Sequence, residues 1–236
     1  MIIKFYELKK KINQYKFFLL YGNNTGLIEE TIENVLKPNL SKNIFNYEES
    51  EIINNSENFK GELLNKSFFD NEKLIIISRV SDKIFNILDD ILNKKINDIS
   101  IILISGGLEK KSKIRNLFEK SNFTACVPFY EDTNETLSTI FKNFLIKSNI
   151  KISQEKLNLI VQRFNGNRIN LKNELLKIEN LLITRKNIKF EDLLNITNLA
   201  ENHSHSELVD NSLIGNKKKT LNIINENNFS SEDCVL

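Results

Sequence analysis

The stretch Lys73-Leu74-Ile75-Ile76-Ile77 is the clearest β-strand signal in this sequence. Its apolar residues are consecutive, which is typical of a strand buried on both faces of a parallel sheet. Two similar runs, Phe17 to Tyr21 and Ile99 to Ile104, lie on either side of it along the chain. The first leads into Gly22, and the second is followed by Ser105 and then by Gly106-Gly107. We therefore predict that the first part of the chain contains a parallel sheet.

Segments with helical spacing separate these strands. Between Leu27 and Leu36, for example, apolar residues recur so that they form one stripe of a helix. The predicted helices cover 27–36, 84–92 and 110–120, and weaker strands are expected over 43–47 and 125–130. Strands that alternate with helices predict a doubly wound α/β domain over 1–132.

After Asp132 the strand signal disappears. Ser153 is suited to cap a helix that Gly166 ends, and apolar residues keep helical spacing on both sides of that helix. The predicted helices cover 137–146, 155–164 and 170–182, with a short one from 190. These helices indicate a small helical domain over 133–198, and a further helical pair begins near Ser206 in the remaining part, 199–236.

Composition excludes several classes of protein. No apolar run approaches the roughly 20 residues that span a bilayer, and the start lacks a signal-peptide layout, so the cytoplasm is expected. The two cysteines, Cys126 and Cys234, form no CxxC motif, which argues against a zinc site or a disulfide framework. The net charge of +2 is too small to indicate nucleic-acid binding by itself.

The loop Gly22-Asn23-Asn24-Thr25-Gly26-Leu27-Ile28 lies where a nucleotide-binding P-loop would lie. A P-loop needs a lysine for the phosphates and a serine or threonine for magnesium, but Leu27 and Ile28 follow Gly26. The apolar strands also lead into Ser78-Arg79 and Ser105-Gly106 instead of carboxylates. The sequence therefore predicts no nucleotide hydrolysis, no cofactor and no metal site.

Two adjacent aromatic residues, Phe68 and Phe69, follow Ser67 in a polar neighbourhood just before the strand at Lys73. One of them could cap the core while the other is half covered. Alternatively, the pair could be an exposed plug for the pocket of a partner protein. The residues alone leave both interpretations open.

A cluster of cations, Lys110, Lys111, Lys113 and Arg115, follows the Gly106-Gly107 turn. Cations at a helix start oppose the helix dipole, and a nearby phosphate backbone would relieve that repulsion. The cluster is either a solvated face or a set of candidate DNA contacts.

Taken in order, four segments resemble the delta subunit of the bacterial DNA polymerase III clamp loader. They are Phe18 to Asn23, Ser67 to Phe69 before the strand at Lys73, Leu108 to Arg115, and Asn167 to Lys177. The resemblance implies an AAA+-like (RecA-type) α/β domain without ATPase motifs over 1–132, a helical lid domain over 133–198 and the start of a helical collar domain over 199–236. It also leads us to expect an incomplete collar and weak assembly into a loader ring.

The resemblance further implies that Ser67, Phe68 and Phe69 bind the sliding clamp (beta), with Phe68 where the family usually has leucine. The expected role is a non-catalytic subunit of the DNA polymerase III holoenzyme that binds and opens the clamp during DNA replication. The chain itself would have no catalytic activity. The complex to which it belongs would be a DNA-directed DNA polymerase, which is a nucleotidyltransferase. Expected partners are the gamma/tau and delta prime subunits, through the collar, and primed DNA. The alternatives are an AAA+ ATPase relative and a basic nucleic-acid-binding module.

Overall fold

The computed structural model describes residues 2–40, 43–64, 72–93, 98–162, 164, 166–185, 190, 192–193 and 205–226. The chain divides into two compact units, Met1–Asp132 and Thr133–Leu236. Separate clusters of buried apolar side chains stabilise each unit. Among the described residues, no helix is long and apolar enough to cross a membrane.

The first unit is built on a five-stranded parallel sheet in the order β2-β3-β4-β1-β5. The strands are β1 (Phe17–Gly22), β2 (Ile44–Glu48), β3 (Lys73–Ser78), β4 (Ile99–Ser105) and β5 (Thr124–Phe129). Strand β1 lies between β4 and β5, so that Leu19 is level with Leu103 on one side and with Cys126 on the other. The predicted parallel α/β architecture is confirmed.

Helices cover both faces of this sheet. They are α1 (Phe5–Lys11), α2 (Thr25–Thr31), α3 (Glu49–Asn54), α4 (Ser56–Leu64), α5 (Phe85–Asn93) and α6 (Lys113–Lys120). A π-helical segment, Ile32–Leu36, continues α2. Neither α1 nor α3 was predicted. Each helix is short and buries one apolar side chain, Leu8 in α1 and Ile52 in α3. A single buried residue does not produce the repeated apolar stripe from which a helix is predicted.

The two faces of the sheet are covered by different helices. Helix α2, which follows β1, packs Leu27 and Ile28 on one face. Helix α6, which follows β4, packs Ile114 and Phe118 on the other. Because β1 and β4 are neighbours whose following helices leave toward opposite faces, a crevice opens at the carboxyl ends of these strands.

The second unit is helical in its described part. Its helices are α7 (Asn134–Lys147), α8 (Gln154–Gln162), α9 (Arg168–Thr184), α10 (His205–Leu213) and α11 (Lys217–Glu226). In its core, the rings of Phe141 and Phe164 meet edge to face at 6.1 Å. Gly166 has a φ of +72°, the left-handed conformation that commonly ends a helix. The prediction that helices follow the α/β domain is confirmed.

Candidate functional site

A cavity of about 440 Å³ lies at the carboxyl ends of β1, β4 and β5. Open parallel sheets bind ligands at this edge, in the crevice where neighbouring connections diverge. We therefore treat it as the candidate functional site. It is lined by Tyr21, Gly22, Asn23, Gly107, Leu108, Arg115, Pro128, Phe129, Tyr130 and Glu131.

The turn after β1 is held tightly between the two neighbouring strands. The backbone N–H of Gly22 donates to the carbonyl of Gly106 at 3.1 Å. On the other side, a Cβ added at Gly22 would lie 2.0 Å from the carbonyl oxygen of Phe129. The φ of Gly22 is +140°, which side chains rarely allow. Only glycine therefore fits this position of the turn.

The start of α2 is capped from within the chain. The side-chain Oδ1 of Asn24 accepts from the backbone N–H of Leu27 at 3.1 Å. Its Nδ2 donates to the carbonyl of Tyr130 at 2.9 Å and to Oδ2 of Asp132 at 2.8 Å. A P-loop instead leaves such amides facing the phosphates. Leu27 and Ile28 have aliphatic side chains and are buried, so these two positions offer a nucleotide neither a charge nor a hydroxyl group.

Hydroxyl groups, and not free carboxylates, lie at the ends of β3 and β4. Ser78 Oγ donates to the carbonyl of Tyr47, and Ser105 Oγ donates to the carbonyl of Val80. The nearby carboxylate of Glu49 accepts from the backbone N–H of Ser81 at 2.7 Å and from its hydroxyl. Within the described ranges, no group of three or more His, Cys, Asp or Glu side chains could hold a metal ion.

Arg115 reaches into the candidate site, but its guanidinium is already engaged. Its Nε donates to Glu119 at 2.6 Å and one Nη to the carbonyl of Leu108 at 2.9 Å. The guanidinium also lies 5.1 Å from the centre of the Tyr21 ring, and the side chain is only 16% exposed. Sequence reasoning placed Arg115 with the surface cations. The inward orientation was missed because the Tyr21 ring, which lies against the guanidinium, comes from the distant strand β1.

The titratable groups next to Arg115 are poorly suited to acid–base or nucleophilic chemistry. Burial raises the pKa of the Tyr21 phenol to about 12. Burial likewise raises the pKa of the Cys126 thiol to about 12, so this fully buried cysteine stays protonated. A general base or nucleophile works best with a pKa near the working pH. Tyr21 and Cys126 therefore act as core residues, as expected for Cys126.

The lysine cluster lies at the start of α6. The predicted helix over 110–120 begins later, at Lys113, so Lys110 and Lys111 lie in the preceding turn. Lys110, Lys111 and Lys113 are all exposed, and Lys111 pairs with Glu109 at 2.9 Å. The structure thus brings three of the four candidate DNA contacts to the surface and turns Arg115 away from it.

The position for an anion at the start of α6 is occupied by Asp82. Its carboxylate accepts from the backbone N–H groups of Lys113 and Ile114, both at 3.0 Å, and from Ser112 Oγ at 2.7 Å. Burial would raise the pKa of Asp82, but these hydrogen bonds outweigh it and the pKa lies below its ordinary value. The chain itself therefore supplies a negative charge at this helix start, where a nucleic-acid phosphate was one of the two alternatives.

Replacing Asp82 with alanine should lower the free energy of unfolding by about 1 kcal/mol at pH 7, as the loss of an exposed helix cap does. Because the pKa of Asp82 is lower in the folded protein than in the unfolded chain, its carboxylate stabilises the fold at pH values above the unfolded-state pKa of about 3.9. This stabilisation is lost as the pH falls through the folded-state pKa. The difference from the unaltered protein should thus shrink below about pH 4. Urea unfolding at several pH values measures this difference in stability.

Asp89→Ala, on α5, is the control and should change stability by less than about 0.5 kcal/mol. A difference for Asp82→Ala that is independent of pH would contradict the prediction.

The predicted clamp-binding residues Ser67, Phe68 and Phe69 lie outside the described residues. Before them, α4 ends at Leu64, and after them β3 begins at Lys73. Their role stays a prediction.

Comparison with solved structures finds this architecture in proteins of low sequence identity. A Bacillus subtilis DNA clamp loader delta protein aligns over 94% of this chain and 70% of its own, with 16% identity and a TM-score of 0.57. The Thermotoga maritima RuvB Holliday junction branch migration motor aligns over 90% of this chain and 73% of its own, with 13% identity and a TM-score of 0.55. No protein-family model and no curated protein matches the sequence. The likeness shows that the chain has an AAA+-like fold.

Proposed function

We propose that this chain is a non-catalytic, delta-like clamp-loader subunit that binds a DNA sliding clamp and favours its open form. The observation that carries the proposal is the closed turn after β1, where Asn24 caps α2 and Leu27 and Ile28 are buried. An AAA+-like domain without a nucleotide-binding loop suits a subunit that works by binding alone. The structural likeness to a clamp loader delta protein supports this choice of partner.

Such a subunit needs no chemistry of its own. A protein that binds the open clamp more tightly than the closed clamp shifts the equilibrium by the difference in its two binding free energies. In this proposal, ATP is handled by the gamma/tau subunits. In the same proposal, residues 133–198 form the lid and 199–236 belong to the collar through which the other subunits are contacted. Primed DNA is a partner within the complex.

An active AAA+ ATPase is the competing candidate, because a branch migration motor has the same fold. The two candidates differ in the first loop. An ATPase needs the lysine and hydroxyl of a P-loop, whereas this chain has buried Leu27 and Ile28 there.

We expect that ATP does not bind. Calorimetric titration of the chain with ATP and magnesium should show no saturable heat in the submillimolar range, because Asn24 caps the Leu27 amide and the P-loop lysine and hydroxyl are missing. A catalytically active AAA+ ATPase titrated in parallel is the positive control. Saturable binding below 1 mM ATP, about −4 kcal/mol, would contradict this prediction.

The partner is tested by capture of the purified sliding clamp from the same genome on the immobilised chain. Specific, saturable capture is expected. A clamp that does not bind would refute the proposed function, whatever the outcome of the ATP titration.

A further inference from the structure

The outer surface of α1 combines one exposed aromatic ring with exposed lysines. Tyr6 is 60% exposed. Lys9 and Lys10 follow it at the i+3 and i+4 positions, so they are its neighbours on the helix surface, and both are exposed. The Nζ of Lys4 lies 5.7 Å from the centre of the Tyr6 ring. We call Lys4, Tyr6, Lys9 and Lys10 the α1 surface.

The acidic residue of this helix does not cancel the charge of the α1 surface. Glu7 pairs with Lys11 at 2.7 Å. Glu7 also interacts electrostatically with Lys4 and Lys10. One carboxylate among four lysines still leaves positive charge in excess around Tyr6. Exposed lysines attract the phosphate groups of nucleic acids.

The ring of Tyr6 contacts a second aromatic ring, which in turn lies near a buried third ring. Phe5 meets Tyr6 edge to face, with ring centres 5.7 Å apart. Phe5 in turn lies 6.3 Å from Phe129, which is buried at the end of β5. The same helix buries Leu8 in the core. Tyr6 is therefore an exposed ring that contacts a half-exposed neighbour, Phe5, on a helix anchored by Leu8. A group that is already partly positioned loses less entropy when it binds.

An exposed aromatic ring among lysines matches the chemistry of single-stranded nucleic acid, whose bases stack on aromatic rings while cations track the backbone. We propose that the α1 surface binds single-stranded nucleic acid, with Tyr6 stacked on a base and Lys4, Lys9 and Lys10 near the phosphates. Paired bases in a duplex would not offer a free face to Tyr6. A lipid surface is the poorer fit, because membrane-binding helices insert an apolar face and Leu8 is buried in the core.

This inference goes beyond the proposed function and does not depend on it, because it concerns the chain without a clamp. The test is the fluorescence anisotropy of a labelled oligothymidylate titrated with the full chain at low salt. Tyr6→Ala should weaken binding by about tenfold, as the loss of one base–aromatic stack does. Tyr6→Phe keeps the ring and should bind within about twofold of the unaltered chain. Phe123→Ala, which removes a 70% exposed ring elsewhere, is the matched control and should bind normally.

The lysines are tested by salt dependence. Each phosphate contact to a single strand contributes about 0.7 to the slope of log affinity against log salt concentration, so Lys9→Gln/Lys10→Gln should lower the slope by about 1.4. The pair Lys142→Gln/Lys147→Gln, from exposed positions of α7, should leave it unchanged.

Three results would overturn the proposal. They are unchanged binding in Tyr6→Ala, an equal loss in Phe123→Ala, and an unchanged salt slope in Lys9→Gln/Lys10→Gln. Tyr6-dependent binding to phosphatidylserine vesicles, with no binding to the oligothymidylate, would assign the surface to a membrane and would also overturn it. Failure of clamp capture would leave these measurements unaffected, so the two proposals fail separately.

Discussion

Replacing both Phe68 and Phe69 with alanine is expected to weaken binding to the sliding clamp by about 30-fold or more, while the melting temperature of the chain stays nearly unchanged. The expectation rests on the proposed function, in which these adjacent apolar side chains enter a desolvated pocket of the clamp. Truncating such an aromatic anchor typically costs about 2–4 kcal/mol of binding free energy. Clamp affinity and thermal melting, measured on the same preparation, check the prediction.

Two control variants separate a binding role from a core role. Phe59→Ala removes a 4% exposed ring from α4 that contacts Tyr47 edge to face. It should lower the free energy of unfolding by about 3–5 kcal/mol, as truncated core aromatics do. Phe123→Ala removes an exposed ring and should change neither property.

The double variant can contradict the prediction in two ways. A melting temperature that falls as in Phe59→Ala would show that Phe68 and Phe69 belong to the core. A normal melting temperature with full clamp affinity would show that the clamp is bound elsewhere.

Gly22→Ala is expected to lower the free energy of unfolding by about 3 kcal/mol or more, because two costs combine. The added Cβ would lie 2.0 Å from the backbone carbonyl oxygen of Phe129, which cannot move away as a side chain could. The φ of +140° is also strained for any residue with a side chain. Domains of this size are stable by only about 5–15 kcal/mol, so much of the stability would be lost. Urea unfolding measures it.

The matched control is Gly106→Ala, in the neighbouring turn. A Cβ there would have no atom within 4 Å, so alanine should be neutral or stabilise by up to about 1 kcal/mol through the unfolded state. If Gly22→Ala and Gly106→Ala were equally stable, the close approach of Gly22 to the carbonyl oxygen of Phe129 would be contradicted.

The sequence by itself determined which segments form the sheet and which chemistry the first loop lacks. The runs Leu74 to Ile77 and Ile101 to Ile104 are apolar throughout, and a strand covered on both faces buries such a run in a few residues. The missing lysine and hydroxyl at Leu27 and Ile28 are likewise read directly from the chain. The cap at Ser153 and the left-handed conformation of Gly166 follow from local hydrogen bonding and backbone preference, which need no distant partner.

The tertiary structure alone decided what closes the candidate site and which cations stay exposed. Asp82 caps α6 across about thirty residues of sequence, and Asn24 reaches Asp132 across more than one hundred. Arg115 turns inward against the ring of Tyr21, which lies on the distant strand β1. Periodicity reports only neighbours within a helix or strand. Contacts between distant segments depend on the strand order, and the strand order is set when both faces of the sheet are packed.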